Sequence, residues 1–297
     1  MRDNTNETAP RNEIVVVTGA SRGIGAATAR ELARRGYHVL AGVRSDDDVR
    51  ALKDSNLEPV LLDITDEAEI AALVRRVMDF PAGRRLRALV NNAGLAINTP
   101  LETYTLTEWR RLFEVNLFGH VAMTQALLPA LIAGRGTVVN MSSVGGKVAM
   151  ATYGPYAASK FALEAASDAL RREVASLGVK VVVIEPGAVT TSMLGEVDDR
   201  GRRVLDAMTP AQRGRYAALM HAVVRQARPS ASSGAPPEEA GRVIADAIAS
   251  ERPRARYTVG RSTAMIVRLT RLLSDRMLDR LLARNLKPYI DEYSSDQ

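Results

Sequence analysis

The sequence of 297 residues contains no cysteine. Disulfide frameworks and thiolate metal sites are therefore excluded, and the protein fits a reducing compartment, so we expect it in the cytoplasm. The N-terminus is polar and lacks the apolar core of a signal peptide. We also predict that no later run is long enough and apolar enough to span a bilayer. We expect residues 1–12 to form a disordered leader and residues 13–297 to form a single domain.

Charge of one sign is not concentrated in any block of the sequence. The formal net charge is +6, but basic residues are spread among acidic ones. This pattern is typical of a solvated surface, so we expect no nucleic-acid partner. His38, His120 and His221 do not have the mutual spacing of metal ligands, so we predict a structural role for each and no metal site.

Short β-branched runs alternate with stretches of helical periodicity along the chain. The predicted strands are Ile14–Val17, Tyr37–Val43, Val60–Leu62, Leu86–Val90, Thr137–Met141 and Val179–Ile184. The predicted helices are Ala26–Arg35, Glu67–Met78, Thr107–Leu131, Tyr156–Leu177 and Glu238–Ser250. Apolar strands bounded by Gly and Pro and separated by helices indicate an α/β, doubly wound Rossmann fold, with a parallel sheet covered by helices on both faces.

The first predicted strand runs directly into T-G-A-S-R-G-I-G, which spans Thr18 to Gly25. Its glycines allow a sharp turn and a close approach of the backbone to a pyrophosphate, while the following helix directs its free N–H groups at that anion. We therefore predict a dinucleotide site at this loop. The predicted contacts are Gly19, Ser21, Arg22, Gly23, Ile24 and Gly25.

A second group of interest lies in the stretch from Ser142 to Lys160, which holds two serines, two tyrosines and two lysines. Tyr156 and Lys160 are four residues apart on a predicted helix, so their side chains share one face. Tyr153 has Ala157 at the equivalent position and so has no such partner. A tyrosine with a pKa of about 10 exchanges protons poorly at neutral pH unless nearby positive charge stabilises its phenolate. We expect Lys160 to supply that charge.

Three motifs in this order and at these separations resemble the short-chain dehydrogenase/reductase family. They are the glycine loop, N-N-A-G at Asn91 to Gly94, and Y-A-A-S-K at Tyr156 to Lys160, and the resemblance covers residues 14–193. It implies an NAD(P)-dependent oxidoreductase with Asn92, Ala93 and Gly94 at the cofactor. A Glu before Pro-Gly and a long tail further resemble the hydroxysteroid and retinol dehydrogenase branch, which implies a carbonyl or secondary alcohol of a lipophilic or medium-sized substrate.

The resemblance also implies the catalytic residues. Tyr156 would be the general acid in carbonyl reduction, or the base in alcohol oxidation. Lys160, together with the positive nicotinamide ring of the oxidised cofactor, would lower the pKa of Tyr156, and Lys160 would also hold the nicotinamide ribose. Ser143 would orient the substrate oxygen, with Ser142 as the alternative, and Lys147 would face water or the mouth of the site. Asn116 would help to hold a water through which Lys160 exchanges protons, although it is also readable as a core residue that bends a helix.

Cofactor choice depends on the end of the second strand, where relatives that prefer NAD place an acidic residue. This chain has Arg44 there, and with Arg22 it can pair with a 2′-phosphate, so we predict NADP(H). Asp46 to Asp48 follow at once and leave NAD(H) open. The remaining contacts that the resemblance implies are Asp63, Ile64, Pro186, Gly187, Val189 and Thr191. Asp63 is alternatively a helix cap.

The last third of the chain is less regular. We predict a substrate flap over residues 194–237 and a C-terminal helical extension over residues 253–297, with an amphipathic segment at Ala264–Leu282. This segment could cover the substrate pocket, pack on another subunit or rest on a membrane surface. The resemblance implies a homodimer or homotetramer built from the helices of Asn116 and Tyr156. A dinucleotide-sensing or scaffolding protein without turnover is the alternative function.

Overall fold

The computed structural model describes residues 12–52, 56–81, 83–190, 201–232 and 234–295. Seven parallel strands form one sheet, in the order β3-β2-β1-β4-β5-β6-β7. The strands are β1 (Glu13–Val17), β2 (His38–Val43), β3 (Leu57–Leu61), β4 (Arg85–Asn91), β5 (Thr137–Met141), β6 (Lys180–Pro186) and β7 (Arg256–Val259). This confirms the predicted doubly wound fold.

Helices cover both faces of the sheet. They are α1 (Gly23–Arg34), α2 (Asp46–Ala51), α3 (Glu67–Met78), α4 (Leu106–Phe113), α5 (Gly119–Gly134), α6 (Gly154–Glu173), α7 (residues 201–207), α8 (Pro210–Ser232), α9 (Pro237–Ala249), α10 (Arg261–Leu272) and α11 (Asp275–Ser295). Short 3-10 turns occupy Leu101–Thr103, Val144–Gly146 and Ala175–Leu177. Two large apolar clusters, one on each face of the sheet, form the core.

The strand order places a crevice beside β1. Val17, the last residue of β1, pairs with Ala41 in β2 on one side and with Val90 in β4 on the other. After β1 the chain forms β2 and β3 on one side of that strand. It then crosses to the other side of β1 and forms β4 there. The loops after β1 and β4 therefore diverge at the carboxyl edge of the sheet, which is where doubly wound proteins bind ligands.

The predicted helix Thr107–Leu131 is interrupted in the structure. Helix α4 starts with a capping box between Thr105 and Glu108, and a π-helical turn at Glu114–Phe118 separates it from α5. Such a turn widens the helix locally and is frequent at functional sites. Here it carries the fully buried Asn116.

Among the described residues, one helical stretch, Leu106–Gly134, is long and apolar enough to cross a membrane by length and composition, contrary to our prediction. Its side chains Met123, Leu127 and Leu131 are fully buried in the apolar cluster that also contains β4 residues. In this fold the stretch therefore supplies core contacts to the sheet.

The segment 253–297, predicted to be a helical extension, begins with a strand. Strand β7 has only four residues, R-Y-T-V, so it carries too little periodicity to be identified from the sequence. It pairs in parallel with the end of β6, where Pro186 lies opposite Val259. The amphipathic segment Ala264–Leu282 is likewise divided between α10 and α11.

Candidate active site

The glycine loop follows β1 and is fastened to the loop after β4. Gly19 has a φ of +63°, and a Cβ on it would lie 2.8 Å from the Ala93 Cα. A Cβ on Gly25 would lie 2.2 Å from the Gly19 carbonyl oxygen. The Asn92 side chain donates to the carbonyl oxygens of Thr18 and Gly19, at 2.9 and 3.0 Å. The predicted residues Gly19, Gly25, Asn92 and Ala93 thus lie in one close-packed unit.

The start of α1 fits the phosphate group of a dinucleotide. Its N-cap, Arg22, makes no side-chain hydrogen bond to the helix, and no acidic residue lies in the first turn. Gly23, with a φ of +58°, is the first helical residue. Backbone N–H groups at an uncapped helix start carry partial positive charge and bind anions well. Ser21 and Ile24 are partly buried beside this turn, whereas Arg22 is exposed.

The residues predicted to contact the adenosine half of the cofactor lie at the ends of β2 and β3. Arg44 is exposed, and among the described residues no hydrogen bond or ion pair holds its guanidinium. It lies close enough to Asp63 to contribute to a lowered pKa of that carboxyl, against the raising effect of burial. Asp63 Oδ1 also accepts from the Thr65 N–H at 2.9 Å. Asp66 is the N-cap of α3, so the alternative of Asp63 as the helix cap is wrong.

Ile64 differs from its neighbour because its side chain lies in the core. It is almost fully buried in the apolar cluster of α3 and α5. A Cβ on Gly119 would approach the Ile64 Cδ1 to 2.8 Å. Any contact of Ile64 with a cofactor would therefore come from its backbone.

Ser143, Tyr156 and Lys160 meet at the carboxyl edge of β5. The Ser143 hydroxyl and the Tyr156 ring border the same space, because a Cβ on Gly145 would lie 3.5 Å from Ser143 Oγ and 3.2 Å from Tyr156 Cε1. The Ser143 hydroxyl also accepts from the Gly145 N–H at 3.0 Å. Lys160 is buried, its Nζ lies 5.8 Å from the centroid of the Tyr156 ring, and it donates to the Met141 carbonyl oxygen at 2.8 Å. The structure thus brings these three predicted residues together.

Burial changes the pKa values of both Tyr156 and Lys160. It raises the pKa of Tyr156, and the neighbouring Ser143 hydroxyl lowers that pKa in part. Burial also lowers the pKa of Lys160 to about 8. These shifts belong to the protein without cofactor, so the expectation that Lys160 and an oxidised nicotinamide together lower the pKa of Tyr156 stays a prediction.

Asn116 lies beside Lys160 without touching the tyrosine. Its Oδ1 accepts from the Leu95 N–H at 2.8 Å, and its Nδ2 donates to the Leu95 carbonyl at 2.9 Å and to the Ser159 hydroxyl at 3.1 Å. A Cβ on Gly94 would lie 3.4 Å from Asn116 Oδ1 and 3.8 Å from Lys160 Nζ. The π-helical turn thus holds the amide next to the lysine, and the role of Asn116 in holding a water for Lys160 stays a prediction.

The competing residues of the same stretch face elsewhere. Ser142 is buried, and its hydroxyl oxygen would lie 2.5 Å from a Cβ on Gly146, away from Tyr156. Lys147 was predicted to face water or the mouth of the site, and this is wrong. Its Nζ lies 2.6 Å from Glu164 Oε2 and 3.4 Å from Glu185 Oε1, both of which are buried.

The loop after β6 carries the last predicted cofactor contacts. Pro186 ends β6, and the Gly187 N–H donates to the Val259 carbonyl at 3.1 Å. Val189 forms a single parallel bridge with Ala235, which holds this loop against the start of α9. Thr191 lies outside the described residues, as does the part of the predicted flap at residues 194–200.

Three further residues lie around the site, and the sequence analysis assigned none of them a place there. The Thr18 hydroxyl accepts from the N–H groups of Asn92 and Ala93, each at 3.0 Å. His120 is buried, burial lowers its pKa to about 3, and its neutral ring donates to the Ala93 carbonyl at 2.7 Å, so its predicted structural role fits. Thr152 has a φ of +67° just before α6. Thr18, which opens the T-G-A-S motif, was the one residue of these three whose place at the site the sequence could have indicated.

The fold and this constellation define a class of protein, a dinucleotide-dependent oxidoreductase with a doubly wound sheet. Comparison with known proteins specifies the family. The family described as short chain dehydrogenase matches residues 13–201. The chain therefore belongs to the short-chain dehydrogenase/reductase family and is an NAD(P)-dependent oxidoreductase, which favours the enzyme over the non-catalytic sensor.

Individual relatives span nearly the whole chain. An uncharacterized oxidoreductase, YbbO, of Escherichia coli K12 is 35% identical over 269 residues, which cover 90% of this chain and 93% of the relative. The NADPH-dependent 3-dehydrocapnine reductase of Ornithobacterium rhinotracheale is 33% identical, with 93% and 98% covered. Mouse retinol dehydrogenase 5 is 33% identical, with 90% and 87% covered, so the predicted likeness to that branch is confirmed.

A solved structure agrees with the fold. A short chain dehydrogenase from Burkholderia cenocepacia J2315, crystallised in complex with NADP, superimposes with a TM-score of 0.67 at 28% identity. The match covers 92% of this chain and 96% of that one. The glycine loop, the β4 loop and the Tyr156 helix thus belong to a framework that holds NADP in a relative.

Proposed function

We propose that the protein transfers a hydride between NADP(H) and a carbonyl or secondary alcohol, with Tyr156 as the general acid or base. The observation that carries this proposal is the meeting of Ser143, Tyr156 and the buried Lys160, with the Lys160 Nζ 5.8 Å from the centroid of the Tyr156 ring. A buried lysine without a carboxylate partner, beside a partly buried phenol, is costly to retain for stability alone. Their position at the edge of β5, near the glycine loop, suits a substrate carbonyl next to a nicotinamide.

Ser143, Tyr156 and Lys160 have different roles in the proposed reaction. When bound, the cofactor supplies the hydride that reaches the substrate carbon. Ser143 is held by the Gly145 N–H, so its own proton is free to be donated to the substrate oxygen. Tyr156 donates its phenolic proton to the same oxygen as charge develops there. Lys160, beside Asn116, supplies positive charge near the resulting phenolate.

The raised pKa of Tyr156 bears on the form of the phenol that each direction of the reaction requires. A phenol that burial keeps protonated is the acid that reduction requires. Oxidation requires the phenolate, and its formation would depend on positive charge from Lys160 and from the oxidised cofactor.

Replacement of Tyr156 tests the catalytic assignment. Tyr156→Phe keeps the ring contact with Tyr153 but removes the proton, so NADPH-dependent carbonyl reduction should fall by at least ~100-fold. NADPH affinity, measured by fluorescence titration, should stay within about twofold of the wild type. Tyr153→Phe is the matched control, because it lies on the same helix start and should retain measurable turnover. A Tyr156→Phe enzyme with full activity would refute the mechanism.

Replacement of Arg44 tests the cofactor preference. Removing a guanidinium that pairs with a 2′-phosphate should weaken NADPH binding by roughly 10-fold or more. NADH binding should change little. The control is Arg30→Ala, which removes an exposed arginine from α1 away from the predicted phosphate. Equal losses for both cofactors in Arg44→Ala would contradict a 2′-phosphate contact.

A lipophilic or medium-sized substrate is supported by the surroundings of Tyr153. Its ring centroid lies 6.5 Å from that of Tyr156, and it packs in an apolar cluster of α6, α8 and α11. The other members are Leu219, Ala222, Val223, Leu286, Tyr289 and Ile290. The name of retinol dehydrogenase 5, a relative that covers most of this chain, agrees with such a substrate. We propose a cytoplasmic homodimer or homotetramer as the working form.

A further inference from the structure

The C-terminal helices α10 and α11 present large apolar side chains to solvent. Met265, Leu272 and Met277 are 60, 81 and 52% exposed, and Ile266, Leu269 and Leu281 are also exposed. These six residues are here called the tail face. Core packing is the usual explanation of an amphipathic pattern, and the structure does not provide it for these side chains.

Helical spacing places the apolar residues on defined stripes. With 3.6 residues per turn, Met265, Leu269 and Leu272 fall on one side of α10, opposite the buried Thr263 and Val267. On α11, Met277 and Leu281 fall opposite Leu286, which packs against α8 in the apolar cluster around Tyr153. Each helix therefore has one side for the fold and an apolar side that remains uncovered.

Cations border these stripes. The exposed basic residues of this region are Arg268, Arg276, Arg280, Arg284 and Lys287. Among the described residues, none of these five forms an ion pair. The exposed acidic residues described on α10 and α11 are three, Asp275, Asp279 and Asp291, so the exposed cations outnumber them by two. Some exposed arginines elsewhere, such as Arg34 and Arg50, pair with Glu31 and Asp47, whereas the exposed Arg44 pairs with no described residue.

We propose that the tail face docks on an anionic lipid bilayer, with its apolar residues in the interface and its cations at the lipid phosphates. Consecutive helices with a Leu/Met stripe beside unpaired Lys and Arg have the composition of interfacial helices. The excess of cations complements an anionic surface rather than a second copy of the same cationic patch. This inference does not depend on the proposed catalytic mechanism.

Vesicle flotation of the full-length protein tests the proposal. Wild-type protein should float with vesicles of phosphatidylcholine and phosphatidylglycerol, and much less with phosphatidylcholine alone. A charge variant with Arg268→Gln, Arg276→Gln and Arg280→Gln should bind the anionic vesicles roughly 100-fold more weakly, since each cation near such a surface contributes about fivefold. An apolar variant with Met265→Gln, Leu272→Gln and Met277→Gln should bind at least ~10-fold more weakly.

Matched controls separate the tail face from general charge and hydrophobicity. Arg30→Gln, Arg75→Gln and Arg110→Gln change the net charge equally on other exposed surfaces, and Met78→Gln, Leu106→Gln and Leu177→Gln remove exposed apolar groups elsewhere. Both control variants should bind like the wild type, and circular dichroism should show all variants folded. The proposal is overturned if wild-type protein does not float, or if controls and tail variants lose binding equally. It is also overturned if light scattering shows that the apolar variant only dissociates an oligomer.

Discussion

At the scale of single residues, Lys160 is unusual because it is a buried cation that faces a carbonyl rather than a carboxylate. Its Nζ donates to the Met141 oxygen, and burial alone lowers its pKa from 10.5 to about 8. In the folded protein the ammonium is thus fully present below about pH 8 and is lost as the pH rises through that value. Burial of this cation costs stability at neutral pH, and the cost is relieved between pH 8 and 10.5.

This shift predicts a pH dependence of the reaction. We expect kcat/KM for NADPH, which reports on the enzyme before the cofactor binds, to fall as the pH rises through about 8. The reason is that neutral Lys160 no longer provides charge beside the Tyr156 phenol. Lys160→Arg keeps its charge throughout and should lack this decline, whatever its absolute rate. A wild-type profile that stays flat well above pH 8 would contradict the assignment.

At the scale of elements, a cluster of charges joins the segments that deliver the active site. Glu164 lies one turn after Lys160 on α6, Glu185 precedes Pro186, and Lys147 follows the turn that starts at Ser143. Arg256 of β7 completes the cluster, with its Nη2 2.9 Å from Glu164 Oε2 and its Nε 3.3 Å from Glu185 Oε1. Strand β7 therefore contributes a counter-charge as well as backbone pairing.

Removal of that counter-charge should destabilise the fold. In Arg256→Met, the buried carboxylates of Glu164 and Glu185 would share only Lys147, so the free energy of unfolding should fall by about 3 kcal/mol. Burial and repulsion from Glu164 already raise the pKa of Glu185, which agrees with a crowded negative pair. Urea denaturation measures the loss. Glu185→Gln in the same chain should restore part of it, and the exposed Arg172→Met should cost little. Equal costs for both arginines would show that the cluster contributes no stability.

At the scale of the whole molecule, exposed aromatic residues mark the helices that we expect at a subunit interface. Phe118, at the end of the π-helical turn, and Phe161, on α6, are 53 and 44% exposed. Large apolar side chains on a monomer surface often indicate association. Phe118 lies just after Asn116 in the sequence, and Phe161 lies just after Lys160. Association through these phenylalanines would therefore also stiffen the helical segments that hold the two active-site residues.

A charge at this surface should therefore change the assembly. Phe118→Glu should convert a dimer or tetramer to smaller species in light scattering, because an unpaired carboxylate is costly in an apolar contact. Leu177→Glu, a similarly exposed position on the turn after α6, is the control and should leave the molar mass unchanged. Circular dichroism verifies folding of both variants. A wild-type protein that is monomeric at all concentrations would show that the predicted association is wrong.

Much of the central fold was predictable because its signals are local. The apolar runs of β1, β2, β4 and β5 predicted buried parallel strands within one or two residues of their observed bounds. The glycine loop predicted the tight turn into α1. Strand β7 and the division between α4 and α5 were not predictable, since four residues carry no clear period and a π-helical turn has the same apolar pattern as an α-helix.

The sequence by itself determined the alternation of the first six strands with helices, the loop suited to a dinucleotide and the placing of Tyr156 and Lys160 on one helix face, because each depends on residues close together in the chain. Tertiary structure alone decided that Lys147 joins buried carboxylates, that Asn116 is held by Leu95, and that burial sets the pKa of Tyr156. These properties depend on which distant segments enclose a side chain, and on how much water they remove from it.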